Sequence, residues 1–403
     1  LLMHARTGFS NFDLEYDNRW YWFELDEARF TKALDAAGTI DDKARQQVAR
    51  LSATVICIAS CAVDFLYYQR KELTDEAWYF VRVRFPHRGK NVKNVFTGPH
   101  LNSGEKFGSR LIHIAAGATF NGTTSQLKRI VKRKTYNLKT VETLDFIGYS
   151  ADHKCYIYDN KAIADGRTHK INADDYFELA NQLAIKSLDK SHKLNPGNAA
   201  DYNPGWLPLF FAAHGARGMV VLTFFFASLF AEQIRKTHES FPFLELIGEA
   251  ASGKTSIIEF LWRLMGRDWE GFDPSKNTAA NRARHFCAVS NLPVVLLEGD
   301  RADDSAHAKK FDFEELKPMY NGRGIRGRAL CTPGNENYEP PFRGSIVITQ
   351  NNPIVASVAI ITRIIHIALT REHHTADSLT AHNALREFEM PELSHFLEQA
   401  TAS

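Results

Sequence analysis

The spacing of apolar residues in the N-terminal half of the chain predicts a mixture of helices and strands. Apolar positions three and four residues apart predict one helix over Glu27 to Ala37 and a second that begins near Asp41. One face of the second helix is expected to carry Val48, Leu51, Val55, Ile58 and Ala62. Alternation over 78–85 predicts a strand, and residues 144–159 predict a hairpin of two aromatic-rich strands. Residues 1–190 are therefore expected to form a mixed α+β unit.

The pattern changes after residue 190. Residues 191–206 are polar and rich in Asn, Pro and Gly, which is typical of a linker, and helical spacing follows over 207–240. Three short apolar runs come next, and each ends in glycine or a polar residue. These runs are "FLELI" (243–247), "VVLL" (294–297) and "SIVIT" (345–349). Runs of this length with such boundaries predict buried strands.

Composition and charge leave the class of partner open. The chain has 403 residues, of which 44% are hydrophobic and 24% are charged, and its formal net charge is +2. Any nucleic-acid surface must therefore be local. Five cysteines without a C-x-x-C pair favour a reducing, cytoplasmic location over a disulfide framework. Cys57 and Cys61 are expected to be buried small apolar residues.

No signal peptide is expected at the start of the chain. The sequence starts with "LLMHARTGFS" and is expected to be a fragment of a longer polypeptide. Two apolar stretches, 53–63 and 219–231, are shorter than the roughly 18 residues that span a bilayer. They are interpreted as buried core helices, so no membrane partner is expected.

The stretch "GEAASGKTS" (248–256) has the spacing G-x-x-x-x-G-K-[ST] and lies between a predicted strand and an amphipathic helix. In that context, backbone N–H groups and the helix N-terminus face a polyphosphate such as that of ATP. Lys254 is expected to reach the β- and γ-phosphates, and the Thr255 hydroxyl to ligate Mg²⁺. The residues expected to bind the nucleotide are Gly248, Ser252, Gly253, Lys254, Thr255 and Ser256. The alternative is a structural Gly-rich turn.

Acidic and polar residues follow the other two predicted strands. "LPVVLLEGD" (292–300) offers Glu298 as the first candidate and Asp300 as the second for holding the Mg²⁺ shell and orienting the attacking water. An ordinary strand end with solvated acids is the alternative. Asn351, after the third strand, is a candidate for polarising that water or sensing the γ-phosphate.

Two basic features complete the candidate chemistry. Arg363 is the one charge near the middle of an apolar, strand-like run, 359–369, and it needs a partner, either a phosphate on a neighbouring subunit or a local salt bridge. Residues 316–330 place Arg323, Arg326 and Arg328 among glycines. This composition suits a basic hairpin that contacts DNA phosphates, or else a solvated basic turn. A basic helix over 127–134 is either a second duplex-binding patch or a solvated face.

Together these motifs resemble the superfamily III helicases, a branch of the AAA+ ATPases, and among them the helicase half of phage- and plasmid-type primase–helicases. The resemblance covers roughly residues 205–371 and is carried by "GEAASGKTS", "LPVVLLEGD", "YEPPFRGSIVITQNNP" with the basic segment before it, and "ITRIIHIAL". It implies an α/β fold, with a C-terminal AAA+ P-loop ATPase domain after a mixed α+β N-terminal domain. It also implies a homo-oligomeric ring, usually a hexamer, with Asn351 as first sensor, Arg363 as an arginine finger in trans and the basic hairpin on one DNA strand. Adjacent acids are absent from "LLEGD", so the resemblance does not decide between Glu298 and Asp300.

The expected organisation follows from these motifs. It comprises an accessory domain at 1–190, a linker at 191–206, a helical segment at 207–240, an ATPase core at 241–375 and a truncated helical segment at 376–403. The leading hypothesis is an ATP-dependent DNA helicase or translocase from a mobile-element or phage replication protein, possessing or partnering a primase domain. The alternatives are an AAA+ ATPase that acts on proteins or in defence, and a non-catalytic nucleotide-binding origin platform.

Overall fold

The computed structural model describes residues 9–37, 41–71, 76–86, 89–297, 311–324, 327–329 and 337–402. Contacts divide the chain into two compact units, Leu1–Glu142 and Thr143–Ser403. Residues 143–190 thus belong with the second unit, whereas the sequence interpretation placed them in the N-terminal domain. The reason is a strand within this segment that extends the main sheet of the second unit.

The first unit is a mixed α+β structure. Its strands are β1 (Asn11–Tyr16), β2 (Arg19–Leu25), β3 (Ala53–Ala59), β4 (Ala62–Lys71), β5 (Glu76–Arg84), β6 (Val92–Thr97) and the start of β7 (Thr140–Leu144). Its helices are α1 (Glu27–Ala37), α2 (Asp42–Leu51), α3 (Gly98–Leu101), α4 (Gly104–Ile114) and α5 (Thr124–Lys134). Strands β1, β2 and β3 form one antiparallel sheet, and β4 pairs with β5, which pairs with β6.

The second predicted helix ends earlier than expected, and the prediction that it continues to Ala62 is wrong. Helix α2 stops at Leu51, and residues 53–59 form β3, in which Val55 pairs with Phe23 of β2. The run Thr54–Ile56 is β-branched throughout, and such side chains favour an extended backbone over a helix. Cys61 is buried as expected, whereas Cys57 is exposed.

The basic helix α5 uses much of its charge inside the first unit. Arg129 hydrogen-bonds Asn11 and lies 5.3 Å from the Trp22 ring centre, and Arg133 pairs with Asp13. The helix also buries Leu127 in the core of the unit. These contacts give its cations a structural role in holding β1 and β2.

The second unit is built on a sheet with the order β11-β10-β9-β8-β15-β18-β14-β19. The described strands of the second unit, within and outside this sheet, are β8 (Ile147–Ser150), β9 (Cys155–Ile157), β10 (Lys161–Ala164), β11 (Arg167–Lys170), β12 (Phe177–Glu178), β13 (Ala184–Ser187), β14 (Phe243–Ile247), β15 (Val289–Leu297), β16 (Arg328–Ala329), β17 (Asn337–Tyr338), β18 (Arg343–Gln350) and β19 (Ile364–Ala368). Strands β8 and β9 form the predicted hairpin. Strands β8, β15, β18, β14 and β19 are parallel to one another.

Helices cover this sheet. They are α6 (Trp206–Ser228), α7 (Ala231–His238), α8 (Lys254–Leu264), α9 (Ala279–Cys287), α10 (Val358–Ile361), α11 (Ala376–Glu387) and α12 (Met390–Ala402). Phe210 and Phe225 of α6, Leu261 of α8 and Leu397 of α12 join the sheet residues in one buried core. The segment expected to be a linker also packs here, because Leu194 is fully buried in that core.

Two further expectations change in this unit. The run 359–369 is not one strand: α10 ends at Ile361 and β19 begins at Ile364, so Arg363 lies in the turn between them. The apolar stretch 219–231 does not form a short helix of its own, because its residues up to Ser228 belong to the longer helix α6. Among the described residues it is the one helix whose length and hydropathy would suffice to cross a membrane, and 33% of its most apolar window is buried.

Candidate nucleotide-binding site

Three parallel strands place the predicted site residues at one edge of the sheet. Ile247 at the end of β14 lies beside Gln350 of β18 and Ala368 of β19. The glycine-rich loop follows Ile247 directly, and Asn351 follows Gln350 directly. The carboxyl edge of a parallel sheet is where ligands bind in open α/β folds.

Two glycines shape the loop for different reasons. At Gly248 a Cβ atom would lie 2.4 Å from the carbonyl oxygen of Leu369, so the close approach of two backbones excludes a side chain. Gly253 has φ +94, a left-handed conformation that L side chains rarely adopt. Gly253 is also the N-cap of α8 and offers no side chain to cap the helix. The first backbone N–H groups of α8 are therefore left for a ligand.

Lys254 joins the loop to the neighbouring strand end. Its Nζ donates to the carbonyl oxygens of Gly248 and Glu249, the latter at 3.1 Å, and to Asn351 Oδ1 at 3.1 Å. The two residues are 97 positions apart in sequence, and the fold brings them together. An amine and an amide that meet at a helix N-terminus provide donors for phosphate oxygens.

The hydroxyl residues of the loop differ in exposure. Thr255 is exposed, whereas Ser252 is buried, and its Oγ has no hydrogen-bond partner among the described residues. A buried hydroxyl without a partner is costly unless a ligand satisfies it. Glu298 and Asp300 lie outside the described residues. The strand that leads to them, β15, ends at Leu297 opposite Thr349, at the same edge of the sheet.

A buried carboxylate connects the strands beneath the loop, and sequence reasoning did not select it. Glu245 of β14 is completely buried. Its Oε1 accepts from Gln350 Nε2 and from the backbone N–H of Ile354, both at 2.6 Å, and its Oε2 contacts His366 Nδ1. Gln350 and Ile354 flank Asn351, so Glu245 holds both ends of the turn that presents Asn351 to Lys254. The one signal in the sequence is a lone acid inside the apolar run "FLELI".

Residues after β19 approach the loop from its other side. Arg371 donates to the carbonyl oxygen of Ala250 at 2.6 Å and lies 3.3 Å from the Glu249 carboxylate. His214 of α6 and His382 of α11 also line the space beside the loop, and their rings meet edge to face with ring centres 6.0 Å apart. Burial lowers the pKa of His214 to about 4, and the neighbouring His382 and His374 add to that shift. Sequence reasoning missed these residues because a lone arginine or histidine in a helical region carries no pattern.

Arg363 lies at the opposite edge of the sheet from the loop. Its carbonyl oxygen accepts a hydrogen bond from the N–H of Phe243, the first residue of β14. The glycine-rich loop follows Ile247, the last residue of the same strand. The guanidinium donates to the Lys317 carbonyl oxygen at 3.0 Å and lies 4.8 Å from the Tyr320 ring centre. The local partners of Arg363 are thus the Lys317 carbonyl group and the Tyr320 ring.

The basic segment follows the 3₁₀ helix Phe313–Asn321 on which Arg363 packs. Arg323 is exposed, and Arg328 belongs to β16, which pairs antiparallel with β17. Arg326 lies outside the described residues. The described part of the chain contains no group of three or more His, Cys, Asp or Glu side chains placed to hold a metal ion.

No protein-family model matches the chain, and no curated protein matches it. Among solved structures, the chain is similar to "SCCmec type IV Cch - active helicase", with a TM-score of 0.58 and 14% identity. The match covers 96% of this chain and 63% of that one. Weaker similarities are to the apo C-terminal region of NrS-1 (TM-score 0.35, 11% identity, 83% and 68% covered) and to the JCV helicase (TM-score 0.30, 15% identity, 48% and 52% covered). The chain therefore has a helicase-like mixed α/β fold, and it spans about 63% of the length of the first of these structures.

Proposed function

We propose that this chain is an ATP-dependent DNA helicase or translocase module of the superfamily III, AAA+ type. The observation that carries the proposal is the meeting of Lys254 with Asn351 at the carboxyl edge of a parallel sheet, beside a glycine-rich loop and an uncapped helix N-terminus. Phosphate-binding loops combine these same elements.

The loop fits a nucleoside triphosphate. The backbone N–H groups at the start of α8 and the unpartnered Ser252 hydroxyl supply donors, and Lys254 supplies a positive charge. Bound Mg²⁺ would neutralise charge on the phosphate oxygens, with Thr255 and Glu298 as its protein ligands. Lys254 now contacts carbonyl oxygens of its own loop, and these contacts are of the kind that phosphate oxygens replace.

The side chains near the loop then have distinct roles. Lys254 stabilises charge on the transferred phosphoryl group, and Asn351 orients the attacking water. Glu298 or Asp300 accepts a proton from that water.

Arg363 is proposed to act on a neighbouring subunit. Five strand residues separate its edge of the sheet from the loop, a distance of about 16 Å at about 3.3 Å per residue. A side chain cannot cover that distance, so Arg363 does not serve its own nucleotide. In a head-to-tail ring, such as a hexamer, the outer edge of one subunit meets the loop of the next.

The basic segment provides the proposed contact with one DNA strand. Arg323 is exposed, and the 3₁₀ helix before it carries both contacts of Arg363. A change at the subunit interface could thus reach Arg323 through the short turn that follows this 3₁₀ helix. Phosphate contacts carry no sequence information, so movement along DNA should be nearly sequence-independent and sensitive to salt.

The helicase-like fold supports this proposal, since the similar structure with the TM-score of 0.58 is that of an active helicase. We extend the proposal to a homo-hexamer from a mobile element or phage that acts with a primase domain.

The first test is ATP hydrolysis by the wild-type chain with and without single-stranded DNA, next to Lys254→Ala. Lys90→Ala, which removes an exposed lysine of the first unit, is the matched control. DNA-stimulated hydrolysis that is lost only in Lys254→Ala supports the proposal. Hydrolysis that depends on Lys254 but ignores DNA would point to a protein substrate. Nucleotide binding without hydrolysis would point to a platform.

A further inference from the structure

The outer edge of strand β3 in the first unit lies open over most of its length. β3 is the last strand of the sheet β1-β2-β3, so one of its edges pairs with β2. At its C-terminal end the other edge is occupied, because the Asn121 N–H donates to the Ile58 carbonyl oxygen at 2.7 Å. From Ala53 to Cys57, in the described part of the chain, no strand pairs with this outer edge.

The open stretch presents backbone groups that are directed away from the sheet. The Asp26 N–H donates to the Ser52 carbonyl oxygen at 2.9 Å, which marks a hydrogen-bonded pair at the start of the ladder between β2 and β3. Such pairs alternate along an antiparallel ladder, so Val55, which opposes Phe23, belongs to a non-hydrogen-bonded pair. The N–H and C=O groups of Val55 therefore point away from β2 and can bond to a further strand.

The side chains on this stretch are apolar and exposed on both faces of the sheet. Val55 is 56% exposed and Ile56 is 50% exposed. Their partners on β2, Phe23 and Trp22, are only 3% and 5% exposed and belong to two different buried clusters. Val55 and Ile56 thus lie at the open borders of these clusters, where an added strand would bury them.

Two other described sheet edges are protected by charge. β1, at the opposite edge of the same sheet, carries Asp13 and Glu15, and Arg129 donates to its Asn11 carbonyl oxygen at 3.2 Å. β11, at one edge of the main sheet, has the sequence "RTHK". Charged side chains on edge strands prevent unwanted pairing. The sequence of β3, "ATVICIA", has neither charge nor proline, which indicates an edge kept for a partner.

We propose that the open edge of β3 binds an extended peptide segment of a partner protein as an added antiparallel strand. The antiparallel bridge between Ala59 and Phe120 shows that this edge accepts a strand in that direction. The segment carries uncharged, β-branched or aromatic side chains, because its successive residues meet Val55 on one face and Ile56 on the other. Main-chain hydrogen bonds supply the affinity. The inference concerns the first unit and does not depend on the nucleotide site.

The size of the edge favours a peptide over a second copy of this chain. The five residues from Ala53 to Cys57 span about 16 Å at about 3.3 Å per residue. A stable dimer buries about 800 Å² on each partner, which one strand edge of this length cannot supply. The chain itself does not cover the edge beyond Asn121, because Thr123 caps the start of helix α5. A short peptide that adds one strand fits the space that remains.

The test measures binding of a fluorescein-labelled synthetic peptide to the full chain by fluorescence anisotropy. The peptide alternates threonine and valine and has a lysine at each end for solubility. The same peptide with methylated backbone nitrogens keeps the side chains but cannot donate hydrogen bonds, so it is the control ligand.

Two variants alter the edge in different ways. Val55→Pro removes the outward N–H and leaves the ladder with β2 intact, whereas Val55→Thr keeps that N–H and the β-branched shape. Ile56→Lys adds a charge to the edge without changing the backbone. Val358→Lys, at a β-branched residue of the second unit that is 78% exposed, is its matched control. Circular dichroism shows which variants are folded, and Ile56→Lys decides the outcome if Val55→Pro does not fold.

The wild type, Val55→Thr and Val358→Lys should bind the peptide equally. Val55→Pro and Ile56→Lys should bind it at least about tenfold more weakly, because a peptide carbonyl loses its donor or the edge gains a charge. The methylated peptide should not bind. Equal binding by the edge variants, or no binding by the wild type, would overturn the proposal. Self-association of the wild type that Val55→Pro abolishes, measured by sedimentation, would assign the edge to a second copy and overturn it as well.

Discussion

Replacement of Glu245 tests whether a buried carboxylate fixes the geometry of the site. Glu245→Leu has a similar size but removes the acceptor of two buried donors, Gln350 Nε2 and the Ile354 N–H. Each donor left unsatisfied costs about 1–3 kcal/mol, and the buried leucine recovers about 1–2 kcal/mol of transfer free energy. We expect a net loss of about 3 kcal/mol in the free energy of unfolding.

Glu245→Gln is the matched control. The glutamine keeps an oxygen at the Oε1 position for both donors and places an NH₂ group towards His366 Nδ1. The loss is then limited to the charge assistance of those hydrogen bonds, about 1 kcal/mol. Urea denaturation of the full chain, followed by fluorescence, measures both values as shifts of the midpoint. A leucine variant that is as stable as the glutamine variant would refute the reasoning.

A second readout separates positioning from stability. If Glu245 acts by holding the turn around Asn351, Glu245→Gln should lower the rate of ATP hydrolysis when it is the only substitution in the chain. It should have little further effect in an Asn351→Ala background, because the residue that it positions is already absent. Equal and additive effects would show that Glu245 contributes only to folding.

Three further predictions concern His214, the proposed ring and the proposed DNA contact. His214 has a folded-state pKa of about 4 against 6.5 when unfolded, so its contribution to stability is complete above pH 6.5 and falls as the pH drops towards 4. At 1.36 kcal/mol per pKa unit, the loss between pH 6.5 and 5 is about 2 kcal/mol, measured by urea denaturation, and His214→Gln removes it. Equimolar mixing of inactive Arg363→Ala with inactive Lys254→Ala should restore about a quarter of wild-type hydrolysis, because random head-to-tail assembly leaves that share of interfaces intact. Arg323→Ala should reduce the slope of log affinity for single-stranded DNA against log salt by about 0.7, the value for one phosphate contact, in filter-binding titrations.

Each of these has a control and a contradicting result. His238→Gln alters an exposed histidine and should leave the acid sensitivity unchanged, and an unaltered profile in His214→Gln would contradict the assignment. The titratable groups that act on His214 are His382 and His374, and Arg217 lies near it, so His382 is the next residue to replace. Mixed variants that stay inactive although they co-assemble would exclude a role of Arg363 in trans. Arg284→Ala, at an exposed arginine of α9, should not change the salt slope.

The sequence predicted the strand–loop–helix of the candidate site because its signals are local. "FLELI", the two spaced glycines and the amphipathic run after Lys254 lie within about one strand, one turn and one helix, where periodicity and turn chemistry decide the structure. The strand ending at Thr349 and the polar residues after it are equally local. Parallel strands that end together then bring Asn351 to Lys254 without further information.

The remaining features depend on contacts between distant residues. Glu245 meets Gln350 and His366, which are 105 and 121 positions away, so its role is invisible in "FLELI" alone. Strand β8 was assigned to the first domain because no local signal shows that it pairs with β15. Helix α2 was extended into β3 because the helical spacing continued by chance through a β-branched run that pairs with β2.

We propose that ATP binding at the Lys254 loop drives the movement of DNA strands. The most direct measurement is displacement of a labelled strand from a forked duplex by the full chain with ATP and Mg²⁺, with Lys254→Ala and Lys90→Ala in parallel. We expect displacement by the wild type and by Lys90→Ala, and none by Lys254→Ala or without ATP. Displacement that persists in Lys254→Ala, or its absence from a wild-type oligomer that hydrolyses ATP on DNA, would contradict it.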